Sequence, residues 1–343
     1  MIGFKLSRAL ITCALAITAS AGTAAPPRIV PYGPELEGFD YPHPVKRFAL
    51  TSQRQSLSMA YMDIAAPAGS GKGVVVLLHG KNFCGATWAD TIAALHDAGW
   101  RVVVPDQIGF CKSSKPASYQ FSFHQLAANT RALLSSLSID NAIVIGHSMG
   151  GMLAVRYALM YPQATTRLML VNPLGLEDWK ADGVPYKAID AAYATELNTS
   201  YDTIKQYQLT NYYSGAWQPR YDRWVDMLAG MYAGKGRELV AWNQALTSDM
   251  LYTQPVVYEF QQVQPPTVLF IGGRDRTAPG KDGAPPAIAA RLGNYPELGR
   301  SAAKLIPHAT IVEFPDLGHS PQVEDPEEFH KALLASLAAN PPS

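Results

Sequence analysis

Val144-Ile145-Gly146-His147-Ser148-Met149-Gly150-Gly151 is the stretch that decides how this chain is read. Residues 142–145 are an apolar run with the length and branching of a buried strand. The run stops at Gly146, and over residues 149–161 the apolar positions return at helical spacing. Between them lies Gly-x-Ser-x-Gly, the signature of a strand–turn–helix that holds its serine at a tight, strained bend. Small residues are required at 146 and 150, because side chains there would collide with the neighbouring strand and helix. The bend presents Ser148 Oγ above the sheet edge and turns the Met149 N–H toward the place where an oxyanion forms. Ser148 reads as a nucleophile.

Upstream of the bend, residues 48–51 and 57–64 read as a first pair of strands joined by a polar turn. Residues 73–79, Gly-Val-Val-Val-Leu-Leu-His, form a near-continuous apolar run, the mark of a central strand covered on both faces. A helix is expected over 88–98, ended by Gly99, then a strand at 101–105 and a helix at 123–137. A strand at 168–171 follows the helix after Ser148. Strands alternating with helices imply a parallel sheet with right-handed crossovers, an α/β fold.

The alternation stops at Asn172-Pro173-Leu174-Gly175. From there to about residue 262 no strong strand pattern appears, only amphipathic helical patches. Ten of the seventeen tyrosines and four of the six tryptophans fall in this interval, which makes it an aromatic-rich insertion. Most of those rings serve packing, and a few face an apolar substrate cavity. Strands resume at 267–271 and 310–314, and a helix over 327–337 closes the chain. The expected organisation is a core at 26–174, a helical cap at 175–262 and a second core segment at 263–343. Residues 276–307, with Pro279, Pro285, Pro286 and Pro296, read either as a second pocket wall or as a surface excursion.

The chain opens with Lys5 and Arg8 ahead of an apolar stretch at 9–19 and an Ala19-Ser20-Ala21 cleavage signal, the pattern of a signal peptide. A second cut site follows Ala25. The apolar stretch is too short to hold the chain permanently across a bilayer, and Ile11-Thr12 before Cys13 does not suit lipid attachment. A periplasmic or secreted protein of about 320 residues is expected, large enough for one core with an inserted subdomain. Lysine plus arginine equal aspartate plus glutamate at 28 each, which gives no reason to expect nucleic acid or an anionic membrane surface as partner. No histidine or cysteine pair has zinc-site spacing, so no metal and no cofactor is expected.

A serine hydroxyl needs a base to take its proton and a third group to orient that base. His319, in Phe314-Pro315-Asp316-Leu317-Gly318-His319-Ser320, lies on the loop between the last strand and the last helix. Such loops carry ligands in an open α/β sheet, so His319 emerges on the edge that carries Ser148. His79 and His147 suit loop-bracing roles, and the other five histidines read as surface or helix residues. Leu269-Phe270-Ile271-Gly272-Gly273-Arg274-Asp275 is a buried strand running into a turn and an aspartate, which gives the order Ser148…Asp275…His319. Glu177 and Asp178 compete for the acid role, with Asp282 and Asp316 behind them. His79-Gly80-Lys81-Asn82 follows a central strand. The Lys81 N–H, paired with that of Met149, is the expected oxyanion hole. The sequence assigns no side-chain role to Lys81 or Asn82.

The set His79-Gly80, Asp106-x-x-Gly109, Gly146-His147-Ser148-Met149-Gly150-Gly151, Gly273-Arg274-Asp275 and Gly318-His319 resembles the α/β-hydrolase superfamily, and within it the capped bacterial carboxylesterase-like hydrolases. The resemblance implies the α/β-hydrolase fold: an eight-stranded, mostly parallel sheet with an inserted helical cap. It also implies acyl transfer to water through an acyl-serine. Relatives that open epoxides or displace halides carry aspartate at the bend, which Ser148 argues against.

Against the family's usual Asp-x-x-Gly-x-Gly-x-Ser, this chain reads Asp106-Gln107-Ile108-Gly109-Phe110-Cys111-Lys112-Ser113. Cysteine stands where the second glycine is usual. By that topology Cys84 and Cys111 sit on neighbouring loops of the catalytic edge, and in an oxidising compartment they are expected to form a disulfide, with two free thiols as the alternative. The expected activity is hydrolysis of a carboxylic ester of a fairly apolar small molecule. The alternatives are an amide, lactone, thioester or carbon–carbon bond cut by the same triad, or a non-catalytic binding protein on the same scaffold.

Overall fold

Eight strands make one sheet in the order β1-β2-β4-β3-β5-β6-β7-β8 in the computed structural model, which describes residues 1–3 and 29–339. The strands are β1 Lys46–Ser52, β2 Gln55–Ile64, β3 Val74–Leu78, β4 Arg101–Pro105, β5 Ala142–His147, β6 Thr165–Val171, β7 Thr267–Gly272 and β8 Ala309–Phe314. β2 runs antiparallel to β1 and to β4, and every other neighbouring pair is parallel. This is the α/β-hydrolase fold anticipated above. The expected signal segment and its cleavage sites lie outside the described residues.

The central strands are continuous apolar runs because they pack on both faces. Along β3, Val76 and Leu78 join one hydrophobic cluster while Val75 and Leu77 join the other. β7 repeats the division, with Leu269 and Ile271 on one side and Val268 and Phe270 on the opposite side. The helices that cover these faces are α1 Ala89–Asp97, α2 Phe123–Ser136 and α3 Met149–Met160, with α9 Tyr295–Leu305, α10 Pro321–Glu324 and α11 Pro326–Ala338 near the C-terminus. Between β6 and β7 the described chain contains no strand. It carries α4 Ile189–Glu196, α5 Tyr201–Asn211, α6 Asp222–Ala233 and α7 Arg237–Thr253. A short α8, Pro286–Ala289, follows β7.

The segment ahead of β1, residues 29–45, ties this helical insertion to the core. The Tyr32 N–H donates to the Gly230 carbonyl at 2.8 Å, and an Arg223 guanidinium N–H donates to the Asp40 carbonyl at 3.0 Å. Tyr41, farther along the same segment, donates its hydroxyl to Asp106 in the core at 2.7 Å.

One expectation needs correction. The segment 276–307 is neither only a wall nor only an excursion, because its second half is α9, the crossover helix that joins β7 to parallel β8. Pro296 hides the helix from a sequence reading, yet it lies in the first turn, where its missing N–H breaks no bond.

Candidate active site

Ser148 links the end of β5 to α3 with φ +56° and ψ −122°, a strained conformation for a residue other than glycine. Its N–H donates to the Val171 carbonyl at 3.1 Å, and its carbonyl accepts from Gly151 N at 2.8 Å and Leu174 N at 3.0 Å. These three bonds hold the bend in place. Close approach explains the flanking glycines: a Cβ on Gly146 would lie 2.1 Å from the Gly150 carbonyl oxygen. As the first residue of α3, Met149 has an N–H with no acceptor inside the helix. The loop after β3 comes against the serine, since a Cβ on Gly80 would lie 3.0 Å from Ser148 Cβ. Among the described residues, neither the Lys81 nor the Met149 N–H has a backbone acceptor.

His319 and Asp275 meet at 2.7 Å, Nδ1 to Oδ2, and both are fully buried. Asp275 is held from two further sides: Oδ2 accepts from Asn172 Nδ2 at 2.7 Å and Oδ1 from the Thr277 N–H at 2.8 Å. Asn172 in turn accepts from the Gly272 N–H at 3.0 Å. The opposite ring nitrogen, His319 Nε2, is buried without a partner among the described residues. It makes no hydrogen bond to Ser148 here, and catalytic contacts of this kind often tighten only once substrate is bound. His147, the neighbour of Ser148, ties the two loops together. Its Nε2 bonds the His319 carbonyl at 2.8 Å, and the two rings lie 5.0 Å apart. Burial and, after it, the proximity of His319 push the His147 pKa well below the usual imidazole value, so its ring is neutral and donates from Nε2.

The rival acids lie elsewhere in the bonding network. Glu177 accepts from Trp179 Nε1 and Gly293 N, and Asp178 accepts from Tyr258 and Lys180 N. Asp316 pairs with Arg274 at the surface, and Asp282 is exposed.

Two residues that the sequence did not flag support the His319 loop. Tyr212, at the end of α5, stacks on the imidazole at 4.9 Å and 23°. Its carbonyl accepts the His319 N–H at 3.0 Å, and its hydroxyl accepts from Asn82 Nδ2 at 2.9 Å. The helical insertion thus touches His319 and the loop beside Ser148 through one residue. Glu324, in α10, accepts from the Gly318 N–H at 2.9 Å and the Ser320 N–H at 3.0 Å, the two amides flanking His319.

Burial outweighs those bonds and pushes the Glu324 carboxyl up to about 7 from an ordinary 4.5. The folded protein therefore keeps this proton after the unfolded chain has released it. Stability from this group is fully present below about pH 4.5 and declines as pH rises to about 7. Glu324→Gln is expected to flatten that part of the stability–pH curve measured by urea unfolding. A variant curve as steep as that of the wild type would count against this account.

The loops after β3 and β4 are joined at Asp106 and beside it. Asp106 accepts from Tyr41 OH, from Gly85 N at 2.7 Å and from Lys112 N at 3.0 Å. The neighbouring Cys84 and Cys111 have Cα atoms 5.7 Å apart and Sγ atoms 2.02 Å apart. His79, Asp106 and Cys111 group their donor atoms closely, but each is already spent on internal bonds. His79 Nδ1 bonds the Gly80 carbonyl, its Nε2 accepts from Gln107 N, and Cys111 Sγ lies against Cys84.

Above Ser148 lies a cavity of about 780 Å³, a size that suits a small-molecule ligand. Its wall is mainly apolar, and Trp179, Tyr186, Tyr207, Tyr212, Tyr232 and Tyr252 are the aromatic residues that the sequence could not single out. Residues 277–283 supply one side, the part of the segment after β7 that reads correctly as a pocket wall.

Comparison with known proteins agrees with this architecture. The family profile described as alpha/beta hydrolase fold matches residues 73–326. A crystal structure of a probable hydrolytic enzyme from Pseudomonas aeruginosa PAO1 is 60% identical, superposes with a TM-score of 0.89 and covers 91% of this chain and 99% of its own. A 2-hydroxy-6-oxo-6-phenylhexa-2,4-dienoate hydrolase of Burkholderia cepacia is 27% identical over 284 residues, 79% of this chain and 89% of that protein. Lipase 1 of Psychrobacter immobilis is 27% identical over 276 residues, 77% and 78% of the two chains.

Proposed function

The chain belongs to the α/β-hydrolase family and is a hydrolase of that fold; from that premise we propose that it cleaves carboxylic esters of fairly apolar small molecules through an acyl-serine. The observation that carries this reading is the buried Asp275–His319 pair, with its second ring nitrogen unpartnered, braced by His147 beside the strained Ser148. Ser148 Oγ attacks the ester carbonyl as His319 Nε2 takes its proton. The tetrahedral oxyanion is received by the N–H groups of Lys81 and Met149. The imidazolium then protonates the departing alcohol, and a water activated by His319 releases the acid. Asp275 holds the proton on Nδ1 and stabilises the imidazolium. The apolar cavity supports an apolar substrate, and this chain's residues carry every step without a cofactor.

The test is activity-based. A fluorophosphonate is expected to label Ser148, Ser148→Ala to abolish labelling, and p-nitrophenyl esters of graded chain length to show a length preference. Absence of both labelling and ester turnover would end the reading. The same substrate series extended to amides, lactones and thioesters ranks the bond types, because the cavity selects the substrate while the triad does not.

We further propose that the chain is exported and that Cys84–Cys111 forms a disulfide pinning the two loops around the oxyanion site. Support comes from the leader-like sequence and from the proximity of the two sulfurs. With the partners 27 positions apart in sequence, reduction should lower stability by about 3 kcal/mol. Equal unfolding midpoints with and without reductant, or two free thiols in unreduced denatured protein, would refute it. No helix among the described residues is long and apolar enough to cross a membrane.

A further inference from the structure

The cavity wall is mainly apolar, but one charged cluster lies within it. Lys81 Nζ donates to Gln244 Oε1 at 2.8 Å and to Glu196 Oε1 at 3.3 Å, while the other Glu196 oxygen accepts from Tyr232 OH. All four residues border the same cavity as Ser148. Lys81 comes from the loop that abuts the serine. Glu196, Tyr232 and Gln244 come from α4, α6 and α7 of the helical insertion. The lysine and glutamate side chains are only 15% and 20% exposed. The remaining charged residues of the wall are Lys187, itself solvent-exposed, Asp249 and Asp282, so carboxylates outnumber lysines.

We infer that this site selects substrates that are uncharged where they pass Lys81, and that Glu196 is the residue that sets this selectivity. The inference rests on Ser148 being the nucleophile. A substrate carboxylate entering the cavity gives up its water, and Lys81 is the enclosed cation that would receive it. To pair there it must displace Glu196, leaving that carboxylate enclosed without a counter-charge, or sit beside it, with two anions around one ammonium. A neutral ester, ether, amide or hydroxyl oxygen meets neither penalty. It also finds the third N–H of an ammonium that uses two on Gln244 and Glu196. Glu196→Gln keeps the shape and an acceptor for Tyr232 but removes the negative charge, which leaves Lys81 free to receive an anion.

The experiment uses alkyl fluorophosphonates in a ladder of chain lengths, each made with a methyl-ester tip and with a carboxylate tip, and reads the labelling rate at Ser148 by mass spectrometry. In the wild type, the neutral tip is expected to label faster by about tenfold or more at the length that reaches Lys81. Glu196→Gln should narrow the ratio to about threefold or less, and adding Lys81→Met should remove that gain. Equal or faster labelling by carboxylate tips in the wild type at every length overturns the inference without any variant. So does a Glu196→Gln protein that labels normally with the neutral probe but keeps the wild-type ratio. If neither tip labels at any length, the nucleophile reading itself falls, and the charge rule falls with it.

Discussion

Asp275→Asn is expected to lower kcat by about 10⁴-fold while the protein stays folded. The reason is specific to the bonds around this carboxylate. Oδ2 receives two donors, His319 Nδ1 and Asn172 Nδ2, and Oδ1 receives the Thr277 N–H. An asparagine amide has one acceptor oxygen, so its NH₂ must face a donor in either orientation. With the NH₂ toward His319, the imidazole is forced into the tautomer that carries its proton on Nε2 and cannot accept from Ser148. With the NH₂ toward Thr277, the tautomer survives, but the negative charge that stabilises the imidazolium is gone. Both outcomes leave a buried polar conflict worth about 1–3 kcal/mol of stability. Steady-state hydrolysis of the best p-nitrophenyl ester, paired with urea unfolding, separates the two effects. A variant within tenfold of wild-type kcat would remove Asp275 from the mechanism.

The second large effect is on folding. Gly150→Ala is expected to yield no soluble folded protein, or one destabilised by about 4 kcal/mol or more. A Cβ at 150 would lie 2.2 Å from the Leu78 carbonyl oxygen and 2.7 Å from that of His79. Both atoms are backbone at the end of β3, a central strand, so neither yields by rotating a side chain. Gly146→Ala meets the Gly150 carbonyl oxygen at 2.1 Å and should behave alike. The control is Gly71→Ala, where an added methyl meets nothing within 4 Å and stability should be unchanged. A Gly150→Ala protein with a wild-type melting temperature would show that the bend has slack the structure does not display.

Both effects arise at places the sequence marks clearly. β3, β5 and β7 are legible because burial on both faces demands unbroken apolar runs. The bend is legible because two glycines and a serine occur where an apolar strand gives way to a helix. The boundaries agree closely: residues 101–105 were expected as a strand and are β4, Arg101–Pro105. The crossover helix α9 was obscured by its proline and by its position in a long, irregular segment.

Local pattern, then, carried the sheet, the insertion, the bend at Ser148 and the chain order of Ser148, Asp275 and His319. Each depends on spacing along the backbone, which a sequence records directly. Only the fold determined that His319 pairs with Asp275 while Glu177 and Asp178 bond elsewhere. It likewise assigned Asn172 to Asp275, placed Tyr212 and Glu324 around the His319 loop, and set Glu196 against Lys81. These are contacts between ordinary polar or aromatic residues, most of them distant along the chain. Their side chains form hydrogen bonds with many partners equally well, so nothing in their identity names the partner, and distance and burial alone make the selection.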